Sequence, residues 1–291
     1  MRSSLLDKMQ RAAFKGAQTL RPEATAALTA AILSCEQSSG GFCGLDGKAD
    51  LYYTFFAKMA LNALGTQHDP SKLISWIKSV RKVSRGVDRV GAELMLLREG
   101  ARSRVAATLF LLRSLLRVGP ADSYKLFLTA FLMEELLPQK LTRALIQRAA
   151  VATLDGRARL DFNALSTPRA AVCVLLAQRT GDQPLRQRMS ELLRQRHQAS
   201  GGYTAVAGGK ADLLSTAVVL FTELCLYNPL VVTKENNRDS TGGCLCAPPD
   251  RAFVEMCWQE DGLFSSAPDQ RTGDLEHTFY ALLALGCTKE S

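Results

Sequence analysis

The stretch GDLEHTFYALLALG, residues 273–286, reads as a helix that starts at an aspartate and is packed on most of its surface. Asp274 is a good N-cap, because its carboxylate accepts from the free N–H groups of the first turn and is favourably placed in the helix dipole. From Thr278 the chain is almost wholly apolar up to Gly286, which suits the residue just past a helix end. His277, one of only 3 histidines in the chain, stands one turn inside that start. Its role depends on whether the stretch is unique.

It is not. Gln37-Ser38-Ser39-Gly40-Gly41-Phe42 is followed by Asp50-Leu51-Tyr52-Tyr53-Thr54, and Gln198-Ala199-Ser200-Gly201-Gly202-Tyr203 by Asp212-Leu213-Leu214-Ser215-Thr216. Gln259-Glu260-Asp261-Gly262-Leu263-Phe264 precedes Asp274-Leu275-Glu276-His277-Thr278 in the same way. The gap from aromatic to aspartate is eight, nine and ten residues, and Asp-Leu-x-x-Thr returns each time. The glycines let the chain turn where φ is positive, the aromatic plugs the loop onto the core, and the aspartate opens the next helix. Gly65 suits the end of the first such helix as Gly286 suits the last. Weaker copies are read at 98–116 and 154–176, each with an acidic-Gly step and a Thr leading into an apolar helix. The glycine markers at 41, 100, 156, 202 and 262 give units long enough for two helices and two turns.

Composition agrees with this reading. Ala and Leu dominate, aromatic residues make up 7%, and no strand pattern stands out, so the expectation is all-α. With 47% hydrophobic and 22% charged residues the chain is expected to fold throughout as a single domain, 1–291, with a polar insertion at about 228–250. The last repeat ends close to residue 291 and is as apolar as the others, so closure onto the first repeat would cover it, whereas an open solenoid needs polar caps.

The net charge of +8 is spread along helices, as in Arg186, Arg188, Arg194 and Arg196, which reads as a solvated face. No dense basic tract with interleaved aromatics appears, so no nucleic-acid partner is expected. Apolar runs are broken by charges such as Arg113 and Glu223, well short of the roughly 20 residues a spanning helix needs, so the protein is not expected to span a membrane. Met1–Gly16 has no apolar signal core and the 8 cysteines are scattered, which points to reduced thiols and a cytoplasmic location. Cys244 and Cys246 lie in the polar insertion, which is long enough to act as a lid; a reduced surface loop is favoured there over a zinc pair. His68 and His197 stand beside helix ends with no partner evident from the sequence.

Gln-x-x-Gly-Gly-aromatic followed by Asp-x-x-x-Thr resembles the repeat of protein prenyltransferase β subunits and of the related squalene and terpene cyclases. The resemblance covers most of residues 30–290. It implies an α/α toroid of about five to six helical hairpins, closed into two concentric rings around an apolar cavity. It further implies a prenyltransferase-like or terpene-cyclase-like protein that handles an isoprenoid, its diphosphate included, or another lipid-like small molecule. A helical partner subunit belongs to the same expectation. The alternative is a non-catalytic toroid that binds a lipid or a protein partner.

The resemblance also implies a site. Protein prenyltransferases hold a catalytic zinc with an Asp, a Cys two residues later and a His from a later repeat. Carried onto this repeat, the Asp falls on Asp212, the His on His277, and the Cys on Leu214, which cannot ligate a metal. Zinc is therefore in doubt. Of the basic positions that meet a diphosphate, Lys210 is retained and a neighbouring one is Val206; the cyclases' acidic motif is not visible. The resemblance thus implies Asp212 and His277 as metal ligands, and Lys210, Asp212 and His277 as the residues that meet substrate. The plain alternative is that Asp212 is only a helix cap, as Asp50 is, and His277 only a first-turn residue. The repeat does not demand histidine there, since the equivalent positions are Tyr53 and Ser215. A helix N-terminus disfavours a protonated imidazole, so His277 is expected to be neutral.

Overall fold

The computed structural model describes residues 4–115, 123–142, 144–145, 165–227 and 248–288. In chain order the helices are α1 (Leu5–Gln18), α2 (Pro22–Ser34), α3 (Leu51–Ala63), α4 (Pro70–Val80), α5 (Gly86–Arg98) and α6 (Arg104–Leu115). There follow α7 (Ser123–Leu136), α8 (Thr167–Thr180), α9 (Gln183–Arg194), α10 (Leu213–Tyr227), α11 (Pro248–Met256) and α12 (Leu275–Cys287). The only strands among the described residues, β1 (Tyr203–Thr204) and β2 (Ala211–Asp212), form a short antiparallel pair inside one repeat loop. The chain is all-α. No helix among the described residues is long and apolar enough to cross a membrane.

Two layers are distinguished by packing. Helices α3, α5 and α7 pack side by side, as do α8, α10 and α12, and α12 in turn packs on α3. The last repeat thus meets the first, as its apolar surface requires. Helices α2, α4, α9 and α11 each pack on one member of this inner set, and α6 packs on both α5 and α7. This is an α/α toroid.

The three strong repeats owe their loops to one hydrogen-bond pattern. Gln37 N donates to Gly41 O at 2.8 Å, Gln198 N to Gly202 O at 2.9 Å and Gln259 N to Leu263 O at 2.9 Å. Gly40, Gly201 and Gly262 close the turn at φ of 94°, 96° and 79°, a region L side chains avoid. The second glycine is not needed for this turn in every copy, which is why Leu263 stands there in the third. The buried hydroxyls of Thr54, Thr216 and Thr278 accept from the backbone N–H groups of Phe42, Tyr203 and Phe264 at 2.9, 2.9 and 3.1 Å. Each threonine therefore ties the start of its inner helix to the aromatic plug of its loop, satisfying an N–H that would otherwise be buried without a partner. Asp50, Asp212 and Asp274 accept from the N–H groups of Tyr53, Ser215 and His277 at 2.8, 2.7 and 2.9 Å, so all three cap their helices.

Two readings of the sequence change. Gly65 does follow a helix end, at φ 68°, but Gly286 lies inside α12. Gly100 turns the chain from inner helix α5 into outer helix α6, the opposite connection to that at Gly41, Gly202 and Gly262. The turn preceding α5 is short and carries no Gly pair, so that unit departs from the repeat. The 154–176 copy lies partly outside the described residues; Cys244, Cys246 and all of the expected insertion before residue 248 lie wholly outside them.

Helix α1 is an addition to the hairpin pattern. Leu5, Leu6, Met9, Ala12, Ala13, Gly16 and Ala17 are buried and recur at helical spacing along one side. That side packs against α12, α3 and α7, three inner helices at once, so α1 lies across the inside of the ring and not in the outer layer. Gln10 donates to Met59 O at 3.0 Å, and Arg98 at the end of α5 reaches Asp7 at 2.6 Å.

Candidate functional site

The polar groups of the site arise from the helix starts just described. The inner helices α10 and α12 are neighbours, and the caps Asp212 and Asp274 stand at their N-terminal ends. Asp274 uses both oxygens on one residue: Oδ1 accepts from His277 N, and Oδ2 meets His277 Nδ1 at 2.7 Å. Two residues into the helix, Glu276 accepts from the hydroxyl of Tyr52, which comes from α3. The ligand atoms of Asp274, Glu276 and His277 lie within 4.8 Å of one another. Residues 274–277 thus form a polar centre at the N-terminal ends of the inner helices, with Tyr52 joining it across the closure.

Burial and charge oppose each other here. Burial alone would lower the pKa of His277, but the hydrogen bond and charge of Asp274, helped by Glu276 and Asp212, outweigh it and raise it. The expectation that the helix end favours the neutral ring is corrected in direction: Asp274, Glu276 and Asp212 favour the protonated form. Burial raises the pKa of Asp212, with Ser215 and His277 opposing it, and burial likewise raises that of Glu276.

Of the residues expected at the site, Asp212 and His277 do share one end of the ring and act on each other's ionisation. Leu214 is partly buried against the core, where the resemblance places a thiolate. Lys210 points outward, its amine pairing with Asp269 at 2.7 Å on the surface. The sequence alone does not mark Asp274, Glu276 and Tyr52 as site residues. In sequence Asp274 and Glu276 are legible only as two acids in the three residues before the histidine, a pattern that a helix start alone also produces.

The other histidines do have partners. His197 Nε2 meets Asp250 at 2.9 Å, and the same buried carboxylate accepts from Gly202 N at 2.8 Å; His68 Nε2 meets Glu36 at 3.1 Å. They brace repeat loops. All the cysteines among the described residues are free thiols, and Cys257, buried in apolar surroundings near Asp212 and Asp269, has its pKa pushed up to about 12.

For zinc, the donors fit in part. A carboxylate behind Nδ1 is how metal-ligating histidines are usually oriented, and it leaves His277 Nε2 as the ligand atom. Asp212 would be a second ligand. The third position is a leucine side chain, and Asp274 and Glu276 already hold His277 and Tyr52, so a closed set is missing.

Fold and site together define an all-α toroid with an ionisable cluster built on helix starts. Residues 9–94 and 243–291 match the model of the prenyltransferase alpha-alpha toroid domain, so the chain carries the fold of that family. No curated protein and no solved structure matches it.

Proposed function

We propose that the protein is a prenyltransferase-like toroid that handles an isoprenoid or similar lipid-like chain, whose charged head meets the cluster around His277. The observation that carries this reading is the convergence of Asp274, Glu276 and His277 at one end of apolar inner helices, beside Asp212 and Tyr52. Apolar walls with a few convergent polar groups are the usual make-up of a small-molecule site. Neighbouring carboxylates favour the protonated form of His277, a form that attracts an anionic head such as a diphosphate, and the same ring, once deprotonated, can donate to a metal. With leucine at position 214, zinc in the native protein is expected to be weak or absent.

One observation favours the second reading, a non-catalytic toroid that binds a lipid or a protein partner. Helix α1 lies across the inside of the ring and takes up space there. Chain binding then uses the space beside α1 or displaces it.

Native mass spectrometry of the purified protein, with metal analysis of the same sample, tests the proposal. The expected result is a co-purifying or added prenyl chain retained by the protein and lost on His277→Ala. Absence of any retained lipid, with a folded protein, would leave only the protein-partner reading.

A further inference from the structure

A second feature lies at the C-terminal end of α5, whereas the His277 cluster stands at the N-terminal end of α12. There α4, the turn after it and the loop after α5 enclose a cleft of about 530 Å³. Its polar wall comes from Ser75, Lys78 and Ser79, which share one face of α4, and from Lys82 in the turn beyond. Arg81 and Arg102 complete the rim, and Leu96 is the apolar floor.

Charge makes this cleft unusual. Beneath it Glu93 is fully buried and holds three guanidiniums: Arg102 at 2.8 Å, Arg81 at 3.1 Å and Arg89 at 3.3 Å. One carboxylate therefore faces three cations before Lys78 and Lys82 are added, and the cleft's lining contains no acidic residue. Neither lysine has a carboxylate within ion-pair distance among the described residues. Arg81 Nε is buried without a hydrogen-bond partner. A basic group near a helix C-terminus also complements the dipole. That accounts for a single side chain, not for Lys78, Lys82, Arg81 and Arg102 converging on one concavity, the two arginines anchored by Glu93.

We infer that this cleft binds a multivalent anion of the phosphate class, free or at the end of a small molecule. Arginine forks suit phosphate oxygens, lysines add mobile charge, and the Ser79 hydroxyl is a neutral hydrogen-bonding group at the rim. Glu93 fixes the guanidiniums in place before the ligand arrives, which lowers the cost of ordering them.

The probe is inorganic pyrophosphate, titrated calorimetrically into the whole protein at low salt. Lys78→Ser/Lys82→Ser removes two exposed charges and leaves the Glu93 network intact; circular dichroism and thermal unfolding check that the fold is kept. The expected result is saturable binding, weakened about tenfold or more in the double variant because two charge-assisted contacts are gone, and unchanged in His277→Ala. No saturable binding, or equal binding by the double variant, overturns the inference. Loss of pyrophosphate binding in His277→Ala also overturns it and moves the anion to the His277 cluster. Failure here leaves lipid retention untouched, so the two readings stand or fall separately.

Discussion

Gly16 of α1 and Gly286 of α12 meet backbone to backbone. A Cβ built on Gly16 would stand 1.9 Å from Leu282 O, and one on Gly286 would stand 1.7 Å from Ala12 O. These contacts are with backbone, which cannot swing aside as a flexible side chain does. The ring is therefore filled on this side by a helix that only glycine lets in.

Replacing Gly286 with alanine should accordingly undock α1. Helix propensity alone would make the change favourable inside α12. The clash reverses the sign, and overpacking of this kind costs about 1–3 kcal/mol. Urea denaturation should show that loss, and limited proteolysis should cut α1 sooner than in the original protein. An unchanged or raised stability would mean that α1 does not pack as described.

The threonines of the repeat give a second prediction. Thr278→Val keeps the shape but removes the only acceptor described for Phe264 N, which is buried. A buried donor left without a partner costs about 1–3 kcal/mol. Thr278→Ser restores the acceptor and should recover most of the loss. If valine and serine behave alike in chemical denaturation, the hydroxyl is not what ties helix to loop.

This tie explains how much of the fold was legible. Asp, Thr, aromatic and Gly recur because each answers a local backbone need, and local needs leave a pattern in sequence. The unit around α5 lacks the loop and carries no such pattern, so the Gly100 step looks like the repeat turn while making the opposite connection. Helix α1 and the end of α12 were obscured differently. Gly286 resembles a helix terminator in sequence, while its actual role depends on Gly16, some 270 residues away. The site was legible through His277 and Asp212 alone. Tyr52 reaches Glu276 only because the ring closes, and no local pattern records that contact.

Acid should loosen α1 before the rest of the ring. Asp7 caps α1 through Ser4 and bonds Arg98 of α5 at 2.6 Å, while Arg98 also holds Glu135 of α7. Burial alone would raise the pKa of Asp7; the Arg98 and Ser4 bonds outweigh it and lower it below the usual 3.8. A carboxyl with a lowered folded value contributes stability above its unfolded value, and that contribution is lost as the pH falls through the folded one. Hydrogen-exchange protection of α1, taken relative to the intrinsic rate at each pH, should therefore fall on going below about pH 4, earlier than at α12. Asp7→Asn should flatten this dependence. Equal acid response of the two helices would remove Asp7 from the account.

The His277 cluster yields the last prediction. Asp212 and His277 stand at neighbouring helix starts, with His277 oriented by Asp274 behind its Nδ1. Leu214 is the residue that keeps an Asp/Cys/His set from forming. It lies one residue past the start of α10 and is only partly buried, so a thiol there need not disrupt the core. Leu214→Cys should raise zinc affinity measurably, because three ligands of the usual kinds would then come from preformed helix starts, leaving a fourth position for water. Competition with a chromophoric chelator would read the gain. It should grow as the pH rises, since zinc must displace the proton that Asp274, Glu276 and Asp212 favour on His277, and must deprotonate the new thiol. His277→Ala in the same background should cancel it. If the leucine-to-cysteine protein binds zinc no better than the original, the two helix starts are not placed to share a metal, and His277 serves only to brace the start of α12.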